Sequence, residues 1–129
     1  MNKVFIDSNI VIDFLTDREP FAIDAAKIFE LSNQGKLKIY ISSLSINNIH
    51  YIISRLESKK KAISLINQLL PLIEILPVVR STIEKTIIAN FKDFEDGLQN
   101  FCAEEGKLNT IVTRDIKGFS KSKLAILTQ

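Results

Sequence analysis

The chain of 129 residues contains one cysteine and one histidine. A single cysteine excludes a framework of intrachain disulfides, and the two residues together do not supply the ligands of a typical zinc site. The charge is also nearly balanced, because 17 lysines and arginines against 15 acidic residues leave a net charge of +2. This balance excludes a protein that clamps nucleic acid by bulk positive charge, as histones do.

Long hydrophobic runs are missing as well. No stretch reaches the roughly 18 consecutive apolar residues that a membrane-spanning helix needs. The segment from Met1 to Asp7 is too short in apolar residues for a secretion signal. We therefore expect a cytoplasmic protein with no membrane association. Hydrophobic residues make up 46% of the chain, enough for one core, so a single domain over residues 1–129 is expected.

Short apolar runs alternate with helical patterns along the chain. Helices are expected where apolar residues recur every three or four positions, and strands where short apolar runs stand between turns. The strands fall at 3–6, 38–41, 73–76, 110–113 and 124–127, and the helices at 10–15, 20–33, 44–57, 62–70, 81–90 and 94–105. This order predicts an α/β fold with a mainly parallel central sheet of four to five strands flanked by helices.

Three aspartates occupy positions that suit a metal site. Asp7 ends the first strand, Asp115 follows a late strand, and Asp96 lies in the first turn of the last helix. Ligands of open parallel sheets bind beyond the carboxyl ends of the strands, so these side chains can meet there. Carboxylates brought together repel one another unless a cation neutralises them, and oxygen ligands favour Mg²⁺ or Mn²⁺ over Zn²⁺.

Each aspartate also has a purely structural interpretation. Asp93 fits the N-cap of the last helix, and Asp96 then fits the acid that the helix dipole favours in the first turn. Asp115 fits a turn between strand and loop. Asp7 fits a cap for the helix that follows it. The metal hypothesis depends on the three acids occurring together.

The same segments resemble the motifs of PIN-domain ribonucleases. Residues 4–9 (VFIDSN) are similar to the first motif, residues 94–99 (FEDGLQ) to the third, and residues 111–115 (IVTRD) with Gly118 and Phe119 to the fourth. The resemblance extends over essentially the whole chain and is closest to the VapC-type toxins of bacterial toxin–antitoxin pairs. It implies a PIN-like three-layer fold and metal-dependent hydrolysis of RNA.

The resemblance also implies a set of site residues. Asp7, Asp96 and Asp115 match the acids that hold Mg²⁺ or Mn²⁺ and catalyse the reaction. Thr113 matches a hydroxyl that orients these acids. The other expected supporting residues are Ser8, Asn9, Asn48 and Asp93.

Two positions depart from the family pattern. Relatives normally carry a glutamate early in the helix after the second strand, where this chain has Asn48, and no acid occurs from Ser42 to Arg55. Relatives often have a further aspartate where Gly118 stands. An asparagine oxygen can bind Mg²⁺ but brings no negative charge and cannot act as a general base. We therefore expect Asn48→Glu to strengthen metal binding.

Two functions are compatible with these observations, and a third lacks support from the residues. The first is a metal-dependent endoribonuclease, and the second is a non-catalytic PIN-like module that binds RNA or a protein partner, as the missing acids at Asn48 and Gly118 suggest. The third, a receiver-like signalling domain, would need an acid pair at the first strand and a late-strand lysine, and neither is apparent.

Binding partners are suggested by basic and apolar residues. Arg114, Lys117 and Lys121 follow the late strand, so they would border the acidic cleft and could contact RNA phosphates. The triplet from Lys59 to Lys61, with Arg55, could also hold a phosphate backbone, but the preferred interpretation is a solvated turn between helices. The apolar residues at 10–15 and 49–53 are too continuous for one helix face, which indicates a partner surface. The resemblance to toxins of toxin–antitoxin pairs implies that the protein forms a homodimer or a complex with a small antitoxin protein.

Overall fold

The computed structural model describes residues 2–128. Within this range the strands form one sheet in which all neighbouring pairs are parallel, in the order β3-β2-β1-β4-β5. These strands are β1 (Asn2–Ile6), β2 (Leu37–Ser42), β3 (Glu74–Leu76), β4 (Thr110–Val112) and β5 (Ala125–Leu127). The five predicted strands and the α/β class are therefore confirmed.

Helices cover both faces of the sheet. They are α1 (Ser8–Thr16), α2 (Ala22–Asn33), α3 (Ser43–Leu56), α4 (Lys59–Leu69), α5 (Arg80–Ala89) and α6 (Phe94–Glu105). Short 3₁₀ turns follow α4 at Leu70–Leu72 and β4 at Lys117–Phe119. Among residues 2–128, no helix combines the length and the apolar content needed to cross a membrane.

Adjacent residues of the central strands point to opposite faces and divide the core in two. Ile6 and Val112 pack with apolar side chains of α1 to α4 on one face. Phe5 and Ile111 pack on the other face with residues of α6 and with Phe119. The sheet is thus the middle of three layers, as the resemblance implied.

Two local expectations were wrong. The lysines from 59 to 61 form the first turn of α4 rather than a turn between helices, because the Ser58 hydroxyl caps that helix by accepting from the Lys61 N–H at 3.0 Å. Pro20 is not the first residue of α2, which begins at Ala22. The chain between α1 and α2 is a turn in which the Phe21 N–H donates to the Arg18 carbonyl.

The apolar run in α1 is buried, so it does not form the partner surface that its sequence suggested. Ile10, Val11 and Ile12 are at most 1% exposed, and so are Ile49 and Ile53 of α3. The helix α1 packs against α2 and α3 as well as the sheet, so its apolar residues are covered on several sides rather than on one face. Their continuity therefore reflects burial within the chain and does not indicate a partner.

The strand order places the carboxyl ends of β1 and β4 side by side. From β1 the chain moves outward through β2 to β3, and it then returns to β4 on the other side of β1. Successive strands are added in one direction from β1 to β3 and in the opposite direction from β4 to β5, so the order reverses between β1 and β4. Such a switch point leaves a crevice beyond the carboxyl ends of the strands. The Asp7 N–H donates to the Val112 carbonyl at 3.1 Å, which fixes the two strand ends side by side.

Candidate metal and nuclease site

Asp7 lies at the centre of this crevice. Its side chain is 6% exposed and begins α1 as the N-cap, with Oδ1 accepting from the Ser8 N–H at 2.8 Å. The Thr113 hydroxyl, just beyond β4, donates to Asp7 Oδ2 at 3.0 Å. The same hydroxyl accepts from the Asp115 N–H at 3.0 Å. Thr113 therefore ties the chain at Asp115 to the buried carboxylate of Asp7.

Asp96 and Asp115 complete the acidic side of the crevice. Asp93 caps α6 by accepting from the Asp96 N–H at 3.0 Å, and Asp115 Oδ1 accepts from the Gly118 N–H at 3.1 Å. The capping and turn roles expected from the sequence are thus present. The cap fixes the backbone at Asp96, and the turn holds the carboxylate of Asp115 beside Gly118. A Cβ at position 118 would overlap Asp96 Oδ2 and lie 2.6 Å from Asp115 Oδ2.

These acids line one open cavity of about 310 Å³. Its wall is formed by the end of β1, the start of α6, one side of α3 and the loop after β4. The lining residues are Asp7, Ser8, Asn9, Asn48, Tyr51, Ile52, Asp93, Glu95, Asp96 and Asp115. The structure therefore brings together the three predicted metal-binding acids and four of the five predicted supporting residues, with Thr113 bonded directly behind Asp7.

Burial and repulsion by neighbouring charges raise the pKa of three of these carboxylates, those of Asp7, Glu95 and Asp96. Burial, followed by the charges of Asp93, Asp7, Asp115 and Glu95, raises the pKa of Asp96 to about 7. Partial desolvation and then the charges of Asp7 and Asp93 raise the pKa of Glu95. Burial also raises the pKa of Asp7, and the hydrogen bond from Thr113 partly offsets that rise. Negative charge in this cavity is thus unfavourable until something positive compensates it.

The donor set of the cavity fits a hard divalent cation. Carboxylate oxygens are the ligands that Mg²⁺ and Mn²⁺ prefer, and Gly118 leaves open the space between Asp96 and Asp115 that a side chain would fill. Within residues 2–128, no three acidic, histidine or cysteine side chains are arranged as a finished ligand shell. The cavity thus offers the right oxygens in an open arrangement.

Comparison with known proteins identifies the family. The model of the PIN domain family matches residues 3–117 of this chain. The chain belongs to the PIN-domain family. It is 33% identical to the Ribonuclease VapC1 of Aquifex aeolicus, over 98% of this chain and 90% of that protein. It is thus a homologue of the VapC-type ribonuclease toxins.

Solved structures show the same fold. The DNA-bound VapBC of Salmonella typhimurium superposes with a TM-score of 0.76 at 17% identity, covering 99% of this chain and 98% of that one. A toxin–antitoxin complex from Klebsiella pneumoniae superposes with a TM-score of 0.69 at 18% identity, covering 91% and 90% of the two chains. The PIN-like architecture predicted from the motifs is confirmed.

Position 48 of this PIN domain faces the acidic cavity, as the alignment of the second motif required. The Asn48 amide does not stand alone there, because its Nδ2 donates to Glu95 Oε1 at 2.6 Å. We did not single out Glu95 from the sequence, although it stands next to Asp96 in an acidic segment. Neighbouring helix residues point about 100° apart, so the helical pattern alone did not place both side chains in one cavity.

A buried polar network behind the cavity was also missed. Gln99 of α6 is 0% exposed, and its Nε2 donates to Ser45 Oγ at 3.0 Å and to Ser8 Oγ at 3.3 Å. The Ser42 hydroxyl donates to Gln99 Oε1 at 2.6 Å. Gln99 therefore joins α6, which carries Asp96, to the ends of β1 and β2. The available signal was a glutamine one turn after Asp96, among the small and apolar residues Gly97, Cys102 and Ala103 that α6 buries.

The predicted RNA-binding residues have separate environments. Arg114 forms an ion pair with buried Asp13, Nε to Oδ2 at 3.0 Å, and its guanidinium lies 3.9 Å from the ring centroid of Phe21. Lys121 donates to the Asn90 carbonyl at the end of α5. Lys117 is exposed in the turn after Asp115. The side chains that line the acidic cavity do not include Arg114, Lys117 or Lys121.

Proposed function

We propose that this PIN domain is a metal-dependent endoribonuclease that hydrolyses RNA phosphodiester bonds with Mg²⁺ or Mn²⁺. The observation that carries the proposal is the convergence of Asp7, Asp96 and Asp115 on one cavity at the switch point of the sheet. Homology to a ribonuclease at 33% identity supports RNA as the substrate.

The three aspartates would hold the cation through their carboxylate oxygens. When bound, the cation supplies a Lewis acid for a phosphate oxygen and lowers the pKa of a bound water. Thr113 and the Ser8 N–H keep Asp7 in one orientation, because each donates to a different oxygen of its carboxylate. Hydrolysis would break the bond between phosphorus and the ribose 3′ oxygen, leaving a 5′ phosphate on the downstream fragment.

The basic residues contribute unequally to RNA binding in this proposal. Lys117 is exposed two residues after Asp115, so it is the best placed to contact a phosphate near the cavity. Arg114 is engaged by Asp13 and Phe21, which suits a role in fixing the loop after β4. Lys121 would contact only RNA that extends toward α5.

A cleavage assay with end-labelled RNA tests the proposal. The purified protein should cut RNA with Mg²⁺ or Mn²⁺, stop in EDTA, and yield fragments whose 5′ phosphates permit ligation. RNA binding without cleavage in either metal would instead favour the non-catalytic module, for which the uncharged Asn48 is the supporting observation.

A small antitoxin protein and a second copy of the chain are the proposed protein partners. The toxin–antitoxin complex from Klebsiella pneumoniae has the same fold, which supports an antitoxin. The exposed apolar side chains of the described chain include Leu56, Ile63, Ile87 and Ile88, on α3, α4 and α5. Light scattering at micromolar concentration should give the mass of a dimer, and a monomer under those conditions would contradict self-association.

A further inference from the structure

The helix α3 offers no negative charge to the acidic cavity. Residues 42–55 contain no acid, and the α3 residues that line the cavity, Asn48, Tyr51 and Ile52, are all uncharged. A neutral amide oxygen is a weaker ligand for Mg²⁺ than a carboxylate, because it adds no charge. If α3 were the sole source of a ligand on this side, the site would lack one negative charge.

Glu95, which belongs to α6, lies on the side of the cavity that faces α3. It precedes Asp96 in the first turn of α6, lines the same cavity, and lies close enough to Asp7 for the two charges to repel. Its Oε1 accepts from Asn48 Nδ2 at 2.6 Å. An ionised carboxylate can only accept, so the Asn48 amide must turn its NH₂ group toward Glu95.

An acid in the first turn of a helix is favoured by the helix dipole alone. The dipole, however, gives no reason for the side chain to reach across to α3. The Asn48–Glu95 bond joins residues 47 positions apart at the rim of the cavity, and it directs one oxygen of Glu95 to a fixed place. Within residues 2–128 the other oxygen of Glu95 accepts no hydrogen bond, so it is available as a ligand in the cavity that Glu95 lines.

We infer that Glu95 supplies, from α6, the metal-binding carboxylate that α3 lacks, and that Asn48 is the positioning residue that holds it. This inference rests on the proposed function. It changes the interpretation of Asn48, whose amide orients a carboxylate from a different helix instead of replacing one. The cavity then has four acids for the cation, namely Asp7, Glu95, Asp96 and Asp115.

Calorimetric titration of Mn²⁺ into the metal-free protein tests the inference without relying on activity. Glu95→Gln should weaken Mn²⁺ binding by about tenfold or more, and Asn48→Ala by about tenfold, the usual effect of losing a residue that orients a ligand. Glu104→Gln is the matched control. It removes the same charge from the same helix, outside the acidic cavity, and should bind Mn²⁺ as the wild type does.

The double variant Asn48→Glu/Glu95→Gln exchanges the two groups. It returns the carboxylate to α3 and places an amide on α6, so it should recover most of the affinity that Glu95→Gln loses. A Glu95→Gln protein that binds Mn²⁺ as tightly as the wild type would overturn the inference, and so would a double variant no better than Glu95→Gln.

The same titrations separate this inference from the proposed function. Loss of Mn²⁺ binding in Asp7→Asn with no loss in Glu95→Gln would overturn the role of Glu95 and leave the nuclease proposal standing. A wild-type protein that neither binds Mn²⁺ nor cleaves RNA would overturn both. Glu95 is exposed at the cavity rim, so its substitution should leave the circular dichroism spectrum and the fold unchanged.

Discussion

The Thr113 hydroxyl donates to Asp7 Oδ2 at 3.0 Å, joining two residues that are 106 positions apart in the chain. Because the same hydroxyl accepts from the Asp115 N–H, it sets the position of one carboxylate and of the backbone that carries another. The arrangement of the acidic cavity therefore depends on a neutral side chain at the end of β4.

Thr113→Val should destabilise the protein and weaken Mn²⁺ binding. The substitution keeps the shape of the side chain but leaves Oδ2 of the buried Asp7 carboxylate without its donor, at a cost of about 1–3 kcal/mol in the free energy of unfolding. Urea unfolding measures this loss. Thr110→Val, at the start of β4 and away from the cavity, is the control. Equal stabilities for the two variants would mean that the Thr113–Asp7 bond contributes little.

The metal-free protein should become less stable as the pH rises from 5 to 8. The pKa of Asp96 is raised from 3.8 to about 7 in the folded chain, so the folded state binds more protons than the unfolded state between these values. The free energy of unfolding then falls with increasing pH across that window. Asp7 and Glu95, whose pKa values are also raised, act in the same direction.

Thermal melts in EDTA at pH 5 and pH 8 test this dependence, with Asp96→Asn as the comparison. The variant cannot ionise at position 96, so its melting temperature should fall less between the two pH values than that of the wild type. An identical fall in both proteins would show that Asp96 ionises normally.

Asn48→Glu should lower the stability of the metal-free protein and strengthen Mn²⁺ binding. The new carboxylate loses the amide hydrogen bond to Glu95 and repels it instead, whereas bound Mn²⁺ would gain one more oxygen ligand. Melting temperatures with and without Mn²⁺ should therefore differ more in the variant than in the wild type, by mass action. A variant that Mn²⁺ stabilises no more than the parent would contradict this expectation.

The sequence predicted the backbone of the site better than its interactions. Asp7 and Asp115 were placed correctly because apolar runs locate strand ends, and parallel strands end at a common edge. The contacts of Glu95 with Asn48, and of Arg114 with Asp13, join residues 47 and 101 positions apart. Local periodicity contains no information about which helices become neighbours, so such pairs could not be predicted from it.

The buried helix α1 illustrates the same limit. Its continuous apolar residues were taken as a partner surface because a single packed face would not cover them, but α2 and α3 cover the rest. The first turn of α4 shows the opposite case, because a local signal for the start of a helix was present in the sequence. The three consecutive lysines nevertheless led us to predict a turn there. Ser58 is a good N-cap, and its bond to the Lys61 N–H starts the helix despite three consecutive lysines.

Cleavage of RNA by Asp7→Asn, compared with the wild type in Mn²⁺, tests the central claim most directly. Asp7 is buried at the end of β1 and would contribute its charge to the metal, and the asparagine preserves its size, so the variant should fold. Our account predicts that this variant retains the wild-type circular dichroism spectrum, has an equal or slightly higher melting temperature without metal, and no longer cleaves RNA. Full cleavage by the folded variant would contradict the proposed site.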